Sequence, residues 1–377
     1  MSTAIKVHLI AAARPNFMKV APLYHVLKRA PWCNPLLIHT GQHYDHNMSG
    51  AFLADLGLPD PDHHLGVGSG SHAEQTAGVM TAYEQVCLSD RPDWTIVVGD
   101  VNSTLACSLV AAKLLIPIAH LEAGLRSGDR TMPEEVNRIV TDRLADLLWT
   151  PSPDGDENLL GEGVAAEKID RIGNIMIDSF ELQRPQIEAL AVAGGLGLAP
   201  GGYSVVTLHR PSNVDQPAVL TTIVEALLEI ARRLPLVFPI HPRSKARLTE
   251  FGLFDRLAAH PAVHLTEPQT YNAFMSLVMT ARLTITDSGG LQEETTYLGI
   301  PCLTLRDNTE RPITVTQGTN RLVKAETLAG EVQAILDGRG KAGRRPDLWD
   351  GRTAERAAES LRRHARIKAQ ALEGAAP

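Results

Sequence analysis

Thr284-Ile285-Thr286-Asp287-Ser288-Gly289-Gly290-Leu291-Gln292-Glu293-Glu294 decides how this chain is read. Its first residues are β-branched and apolar, the pattern of a buried strand. Asp287-Ser288 offers a cap to a following helix, and Gly289-Gly290 lets a ligand approach the backbone. Free N–H groups at the positive end of a helix dipole then form a seat for phosphate. A second strand, Pro301-Cys302-Leu303-Thr304-Leu305, runs into Arg306-Asp307-Asn308-Thr309-Glu310-Arg311-Pro312 and brings cations to the same edge. Either half alone is an ordinary capped helix or an ordinary loop; the pair points to an anion site.

Outward from this stretch, strand and helix alternate towards both ends. In the first half, apolar runs at 5–12, 35–39, 94–98, 117–121 and 147–150 read as strands. Helices are expected from Arg14-Pro15 onward, around 48–56, at 73–86, at 103–115 and from Pro133 onward. Pro22 interrupts the first of these and predicts a kink or a late start. The glycine-rich loop 66–71 does not complete GxGxxG and reads equally as a mobile connection or a binding loop. Arg14, Asp100 and Glu122 each stand just past a strand, and Lys19 lies on the helix after the first. Ligands of parallel sheets bind beyond the carboxyl ends of the strands, so these positions are candidates. Glu134 and Glu135 have a simpler account, since acids in a first helical turn stabilise its dipole by roughly 0.3–1 kcal/mol.

The glycines at 194–195 and 201–202 mark a shift in composition, and alternation restarts after them. Two domains are expected, residues 1–173 and 174–352, with a last helix at about 353–372 packing back across the first. Strands at 203–208 and 236–240 end in His209-Arg210 and His241. A lone histidine is usually structural; His209 has a cation beside it. Gly338 to Gly343 matches GxGxxG, but it follows a helix rather than a strand and reads as a surface turn. No dinucleotide fingerprint remains, which argues against a dehydrogenase.

Composition sets the class. With 377 residues, 44% hydrophobic and 21% charged, the chain is that of a soluble globular protein long enough for two domains. A net charge of -7 and 5% aromatic residues give no support to nucleic-acid binding. Cys33, Cys87, Cys107 and Cys302 are scattered, so neither a disulfide framework nor a zinc site is expected, and reduced thiols suit a cytoplasmic protein. The apolar run from Val7 is broken by Arg14-Pro15, too early for a membrane span or a signal peptide.

Seven motifs together resemble one family. They are Ala13-Arg14-Pro15-Asn16-Phe17-Met18-Lys19, Thr40-Gly41-Gln42-His43-Tyr44-Asp45, Val98-Gly99-Asp100-Val101-Asn102-Ser103-Thr104, His120-Leu121-Glu122-Ala123-Gly124-Leu125-Arg126, Met132-Pro133-Glu134-Glu135-Val136-Asn137-Arg138, and the two stretches quoted at the outset. They are similar to the non-hydrolysing UDP-N-acetylglucosamine 2-epimerases. The resemblance implies a GT-B-like α/β fold of two Rossmann-type domains with parallel sheets facing a central cleft. It implies interconversion of UDP-GlcNAc and UDP-ManNAc, a homodimer, and no metal, cofactor, membrane or nucleic-acid partner. By matching positions, Asp100, Glu122, Glu134 and His209 are the expected catalytic residues. Arg14, Lys19, Ser288, Gly289, Gly290, Glu294 and Arg311 are the expected contacts of the UDP-sugar. Gln42-His43-Tyr44-Asp45 departs from the sequence that holds an allosteric UDP-GlcNAc in many bacterial members. The same form occurs in relatives acting on UDP-2,3-diacetamido-hexuronates, which leaves the substrate open between the two sugars.

The chemistry explains the residue types. The proton at sugar C2 has no neighbouring ring carbonyl, so an enolate is not available. Loss of UDP from C1 as that proton leaves gives a 2-acetamidoglucal, and protonation on the other face before UDP returns inverts C2. A base, an acid and a seat for the departing diphosphate are required. A GT-B glycosyltransferase and a non-catalytic UDP-sugar sensor are the rival readings; the carboxylate set in the first half argues against both.

Overall fold

The computed structural model describes residues 4–41 and 53–374, and its chain divides into two compact units, 1–182 with 347–377 and 183–346. The expected 173/174 division falls just before a helix, α5 (Ile175–Leu190), through which the chain passes from one unit into the other. The expected second division, after 352, comes six positions later than the observed one after 346, because Trp349 is buried in the first unit and donates through Nε1 to Pro151 O at 3.0 Å.

In the first unit, β1 (Ile5–Ala11), β2 (Cys33–His39), β3 (His63–His64), β4 (Trp94–Val98), β5 (Ile118–Leu121), β6 (Leu147–Thr150) and β7 (Ile169–Arg171) form one sheet in the order β3-β2-β1-β4-β5-β6-β7. Every pairing is parallel, with Val7 opposite Trp94 and Thr95 opposite Ile118. β4 is buried at all five positions, as its apolar and β-branched run requires of a strand covered on both faces, and its one polar side chain, Thr95, pairs with the Tyr83 hydroxyl at 2.8 Å. The principal helices are α1 (Arg14–Arg29), α2 (His72–Ser89), α3 (Asn102–Lys113), α4 (Pro133–Leu144) and α5. α1 starts at Arg14 and continues through Pro22. Pro22 has no N–H for the Met18 carbonyl, and the Ser179 hydroxyl of α5 donates to that carbonyl instead.

In the second unit, β8 (Ser204–Thr207), β9 (Leu236–Pro239), β10 (Val263–Thr266), β11 (Leu283–Thr286), β12 (Cys302–Thr304) and β13 (Asn320–Leu322) pair in parallel in the order β10-β9-β8-β11-β12-β13. Its core is aliphatic, with α6 (Pro217–Ala231) laying Leu220, Ile223, Val224, Leu227 and Ile230 against the sheet. α7 (Tyr271–Met279) and α8 (Gly289–Leu298) flank β11 in sequence. α9 (Thr353–Gly374) belongs to the first unit, where its N–H groups at Thr353 and Ala354 donate to Asp178 Oδ2 and Oδ1 of α5 at 3.1 and 2.8 Å.

Both sheets run outward in both directions from a central pair, β1/β4 in one and β8/β11 in the other. At these switch points the flanking connections lie on opposite faces, which opens a crevice at the carboxyl ends of the strands. Arg14 and Asp100 follow the first pair; His209 and Ser288 follow the second.

Candidate functional site

The first-unit residues gather around Gly99. Its φ is +67°, and a Cβ there would stand 3.4 Å from Lys19 Nζ, 3.5 Å from Glu122 Oε2 and 3.6 Å from Asn16 Nδ2. Lys19 and Glu122 form an ion pair, both largely buried. Asn16 donates to Val98 O at 3.0 Å and accepts from Ala13 N–H at 3.2 Å, tying the start of α1 to the end of β4. Glu122 has φ +72°, the left-handed region that non-glycine residues rarely occupy. Asp100 pairs with Arg138 of α4, whose other nitrogen reaches Glu135 Oε2 at 2.9 Å. Glu135 in turn accepts from the N–H groups of Ser127 and Gly128 at 2.9 Å. Burial would raise the Glu135 carboxyl, yet these donors hold it below its ordinary value.

Glu134, one residue away, is half-buried and has no hydrogen-bond or ion-pair partner among the described residues. The two first-turn acids of α4 therefore differ: Glu135 braces a turn, and Glu134 carries no such tie among the described residues. Behind Gly99 lies His120, wholly buried, with Nε2 2.8 Å from Gly99 O and Nδ1 2.6 Å from Asp142 Oδ1. Asp142 also accepts from Gly124 N–H at 3.0 Å and from Arg126 at 2.8 Å. The backbone of Arg14 opens α1, and its side chain lies outside the description, as does the 42–45 motif.

The second-unit residues gather at the ends of β8 and β11. Asp287 does not cap α8, contrary to expectation. Its carboxylate turns to the β8 end, and Ser288 occupies the N-cap position without a side-chain cap bond. The His209 ring lies with Nδ1 2.8 Å from Asp287 Oδ1. Burial would raise Asp287, but His209 and the N–H groups around it hold it low. Gly289 has no room for a Cβ, which would fall 2.6 Å from Glu310 Oε1 and 3.3 Å from Arg311 Nη1. Arg311 is not the free cation that its sequence position suggests. Nη1 lies 2.7 Å from Glu310 Oε1, and Nε stands 2.8 Å from Glu293 Oε2. Glu310 also pairs with Arg306 at 2.9 Å; burial opposes its charge, but the two guanidinium groups bring its carboxyl down to about 2. Glu294 is buried on α8 and accepts from the Tyr271 hydroxyl at 2.7 Å. Burial raises it to about 7, assisted by neighbouring Glu293.

Within the first unit the structure therefore brings Lys19, Glu122 and Asp100 together, with Glu134 on the helix that carries Asp100's partner. Within the second it brings His209 to Asp287 and sets Arg311 beside Gly289 at the start of α8. Sequence reasoning passed over Asn16, His120, Glu135 as a brace, Asp142 and Tyr271, and misread Asp287. Asp142 and Tyr271 sit inside helices with no local signal. Asp287 did carry one, since it directly follows the strand that neighbours β8. Among the described residues no group of three or more His, Cys, Asp or Glu is arranged to hold a metal ion, and no helix is long and apolar enough to cross a membrane.

Comparison with known proteins identifies the family and the fold. A family model described as UDP-N-acetylglucosamine 2-epimerase matches residues 25–362. The chain is 42% identical over 360 residues to the UDP-N-acetylglucosamine 2-epimerase of Methanocaldococcus jannaschii, covering 90% of this chain and 97% of that protein. It is 41% identical over 327 residues to the UDP-2,3-diacetamido-2,3-dideoxy-D-glucuronate 2-epimerase of Pseudomonas aeruginosa, covering 85% and 89%. The crystal structure of the Methanocaldococcus jannaschii epimerase with UDP-GlcNAc and UDP superposes with a TM-score of 0.83 at 40% identity, covering 95% of this chain and 99% of that one. The fold is thus the two-sheet α/β arrangement of the GT-B-like epimerases, and the chain belongs to the UDP-N-acetylglucosamine 2-epimerase family.

Proposed function

We propose that the protein interconverts UDP-GlcNAc and UDP-ManNAc by inverting C2. The observation that carries this reading is the acid set at the β4 and β5 ends, where Asp100 and Glu122 follow neighbouring paired strands. In the forward direction a carboxylate takes the C2 proton while the C1–O bond to UDP breaks and its electron pair leaves with the diphosphate. The ring is left as 2-acetamidoglucal. A protonated group on the other face returns a proton to C2, and a diphosphate oxygen re-forms the bond to C1. Proton and electron pair are both restored, so no redox partner enters.

Asp100, Glu122 and Glu134 are the groups for the two proton transfers, with Lys19 and Arg14 holding the sugar nucleotide. The N–H groups of Gly289 and Gly290 that open α8 behind Ser288, with Arg311, suit a diphosphate that gains charge as it leaves. Glu294 suits the ribose hydroxyls, and His209 suits proton or charge transfer at the reacting end. Incubation with UDP-GlcNAc in D₂O tests the reading. Deuterium at C2 of the recovered nucleotide sugar, with UDP-ManNAc formed, is expected; sugar transfer without exchange would favour a glycosyltransferase.

The identity to the diacetamido-glucuronate epimerase supports a second substrate reading. A panel that includes UDP-2,3-diacetamido-glucuronate decides it by comparing kcat/KM. The family resemblance also supports a homodimer, which light scattering of the purified protein tests.

A further inference from the structure

The His209 ring is only one of several groups that lean on Asp287, and the way the others are shared between its two oxygens has a chemical consequence. Thr286 and Thr207 are opposite each other in the β8–β11 register, so the next residues emerge side by side. Asp287 is wholly buried there. Its Oδ2 accepts from His209 N–H at 3.0 Å, Arg210 N–H at 2.9 Å and Asn213 Nδ2 at 3.1 Å. Its Oδ1 faces the His209 ring at 2.8 Å, with a longer 3.2 Å approach from the backbone N–H of His209. A carboxylate offers about four lone-pair sites, and every neighbour here is a donor. The ring nitrogen facing Oδ1 must therefore carry its hydrogen. His209 Nε2 has no partner among the described residues, and the side chain is 42% exposed.

We infer that Asp287 is a positioning residue that fixes His209 with the hydrogen on Nδ1 and leaves Nε2 as its single reactive nitrogen. This rests on the assignment of His209 to the epimerase reaction. Two other groups lie close by. His241 lies 5.8 Å away, centroid to centroid, at 46°, and its Nδ1 accepts from Arg243 N–H. Arg210 directs Nε to Asp287 O. Neither supplies an acceptor to His209 Nδ1, so the tautomer is set by Asp287 alone.

Asp287→Asn is an informative variant because its amide has a dictated orientation. The three donors at Oδ2 demand the amide oxygen, which turns the NH₂ group towards His209 Nδ1. That nitrogen must then accept, and the hydrogen moves to Nε2. The loops stay tied while the reactive nitrogen is exchanged. Long-range ¹H–¹⁵N spectra of protein labelled at histidine should show the Nδ1–H form for the neutral His209 ring, and the Nε2–H form in Asp287→Asn. The variant's kcat should fall by about 10²–10⁴-fold, the scale of a lost or mis-set acid–base group, with a shifted pH profile and UDP affinity within about threefold.

Asn213→Ser serves as the comparison. It removes a donor from the same carboxylate without touching the ring, and should leave kcat and the tautomer as they were. If Asp287 merely ties two loops, both variants would lose activity alike with the tautomer unmoved, and the inference would be overturned. An Nε2–H ring in the unsubstituted protein would also overturn it. Absence of C2 exchange in the unsubstituted protein would instead count against the epimerase reading, while the tautomer spectra would still decide the role of Asp287.

Discussion

Glu122 meets two costs at once, a left-handed backbone and a buried carboxylate. The first costs on the order of 1–2 kcal/mol in a non-glycine residue; the second is offset by Lys19. A residue held this way against local preference marks a site where geometry matters more than stability. Glu122→Gln keeps the shape and removes the charge. It should lower kcat about 10²–10⁴-fold and also lower the melting temperature, because Lys19 is left without its counter-charge; steady-state kinetics and a thermal melt read both. Asp100→Asn and Glu134→Gln should lose turnover similarly, but Glu134→Gln should cost the fold only its first-turn charge, about 0.3–1 kcal/mol. Arg311→Ala has a double effect. It should weaken UDP binding at least about tenfold, as loss of a charge-assisted contact does. It should also destabilise the second unit by about 3–5 kcal/mol, because Glu310 and Glu293 lose a buried partner. Calorimetric titration with UDP and urea denaturation separate the two. The residue types and strand-end positions of these groups were legible in the sequence. Their partners were not, because Asp287 with His209 and Glu293 with Arg311 meet only through tertiary packing.

Among the elements, β4 and β6 coincide with their expected bounds, since each is a short run of apolar and β-branched residues between polar turns. The short edge strands β3, β7 and β13 escaped notice. His63-His64, Ile169-Asp170-Arg171 and Asn320-Arg321-Leu322 have no apolar run to announce them, and pairing with an already formed neighbour makes them strands. Two turns of the β5–α4 connection differ in what their glycines must avoid. A Cβ on Gly124, at φ +79°, would lie 2.3 Å from Gly155 O, whereas one on Gly128, at φ +71°, meets nothing within 4 Å. Gly128→Ala should therefore cost only the backbone strain, about 1–2 kcal/mol. Gly124→Ala adds a clash with backbone and should cost about 2–5 kcal/mol in all. Urea unfolding of the pair tests this difference, and equal losses would contradict it.

For the whole molecule, buried titratable groups set an acid limit. Burial lowers His8 and His39 to about 4. The unfolded chain takes up protons on these rings near pH 6.5, before the folded chain does, so their contribution is intact above pH 6.5 and is lost as pH falls towards 4. Glu294 acts with the opposite sign. Its raised value, about 7, makes its contribution full below about 4.5 and lost as pH rises through 7. Urea midpoints should therefore decline from pH 6.5 to 4, and Glu294→Gln, which removes the opposing gain between pH 7 and 4.5, should steepen that decline. If the midpoint rose on acidification through that window, the two histidines would not be the controlling groups.

The first unit is also made from two separated lengths of chain. Trp149 donates to Ser360 Oγ at 2.8 Å, and Leu361 and Ala357 of α9 are wholly buried. During synthesis these residues leave the ribosome only after all of 183–346. The later-starting unit thus has its whole sequence available first, while the earlier one waits with tryptophan and leucine surface uncovered. That interval is when a nascent chain of this design most needs a chaperone, and stalled nascent chains ending at 346 should crosslink to one far more than chains extended past 374.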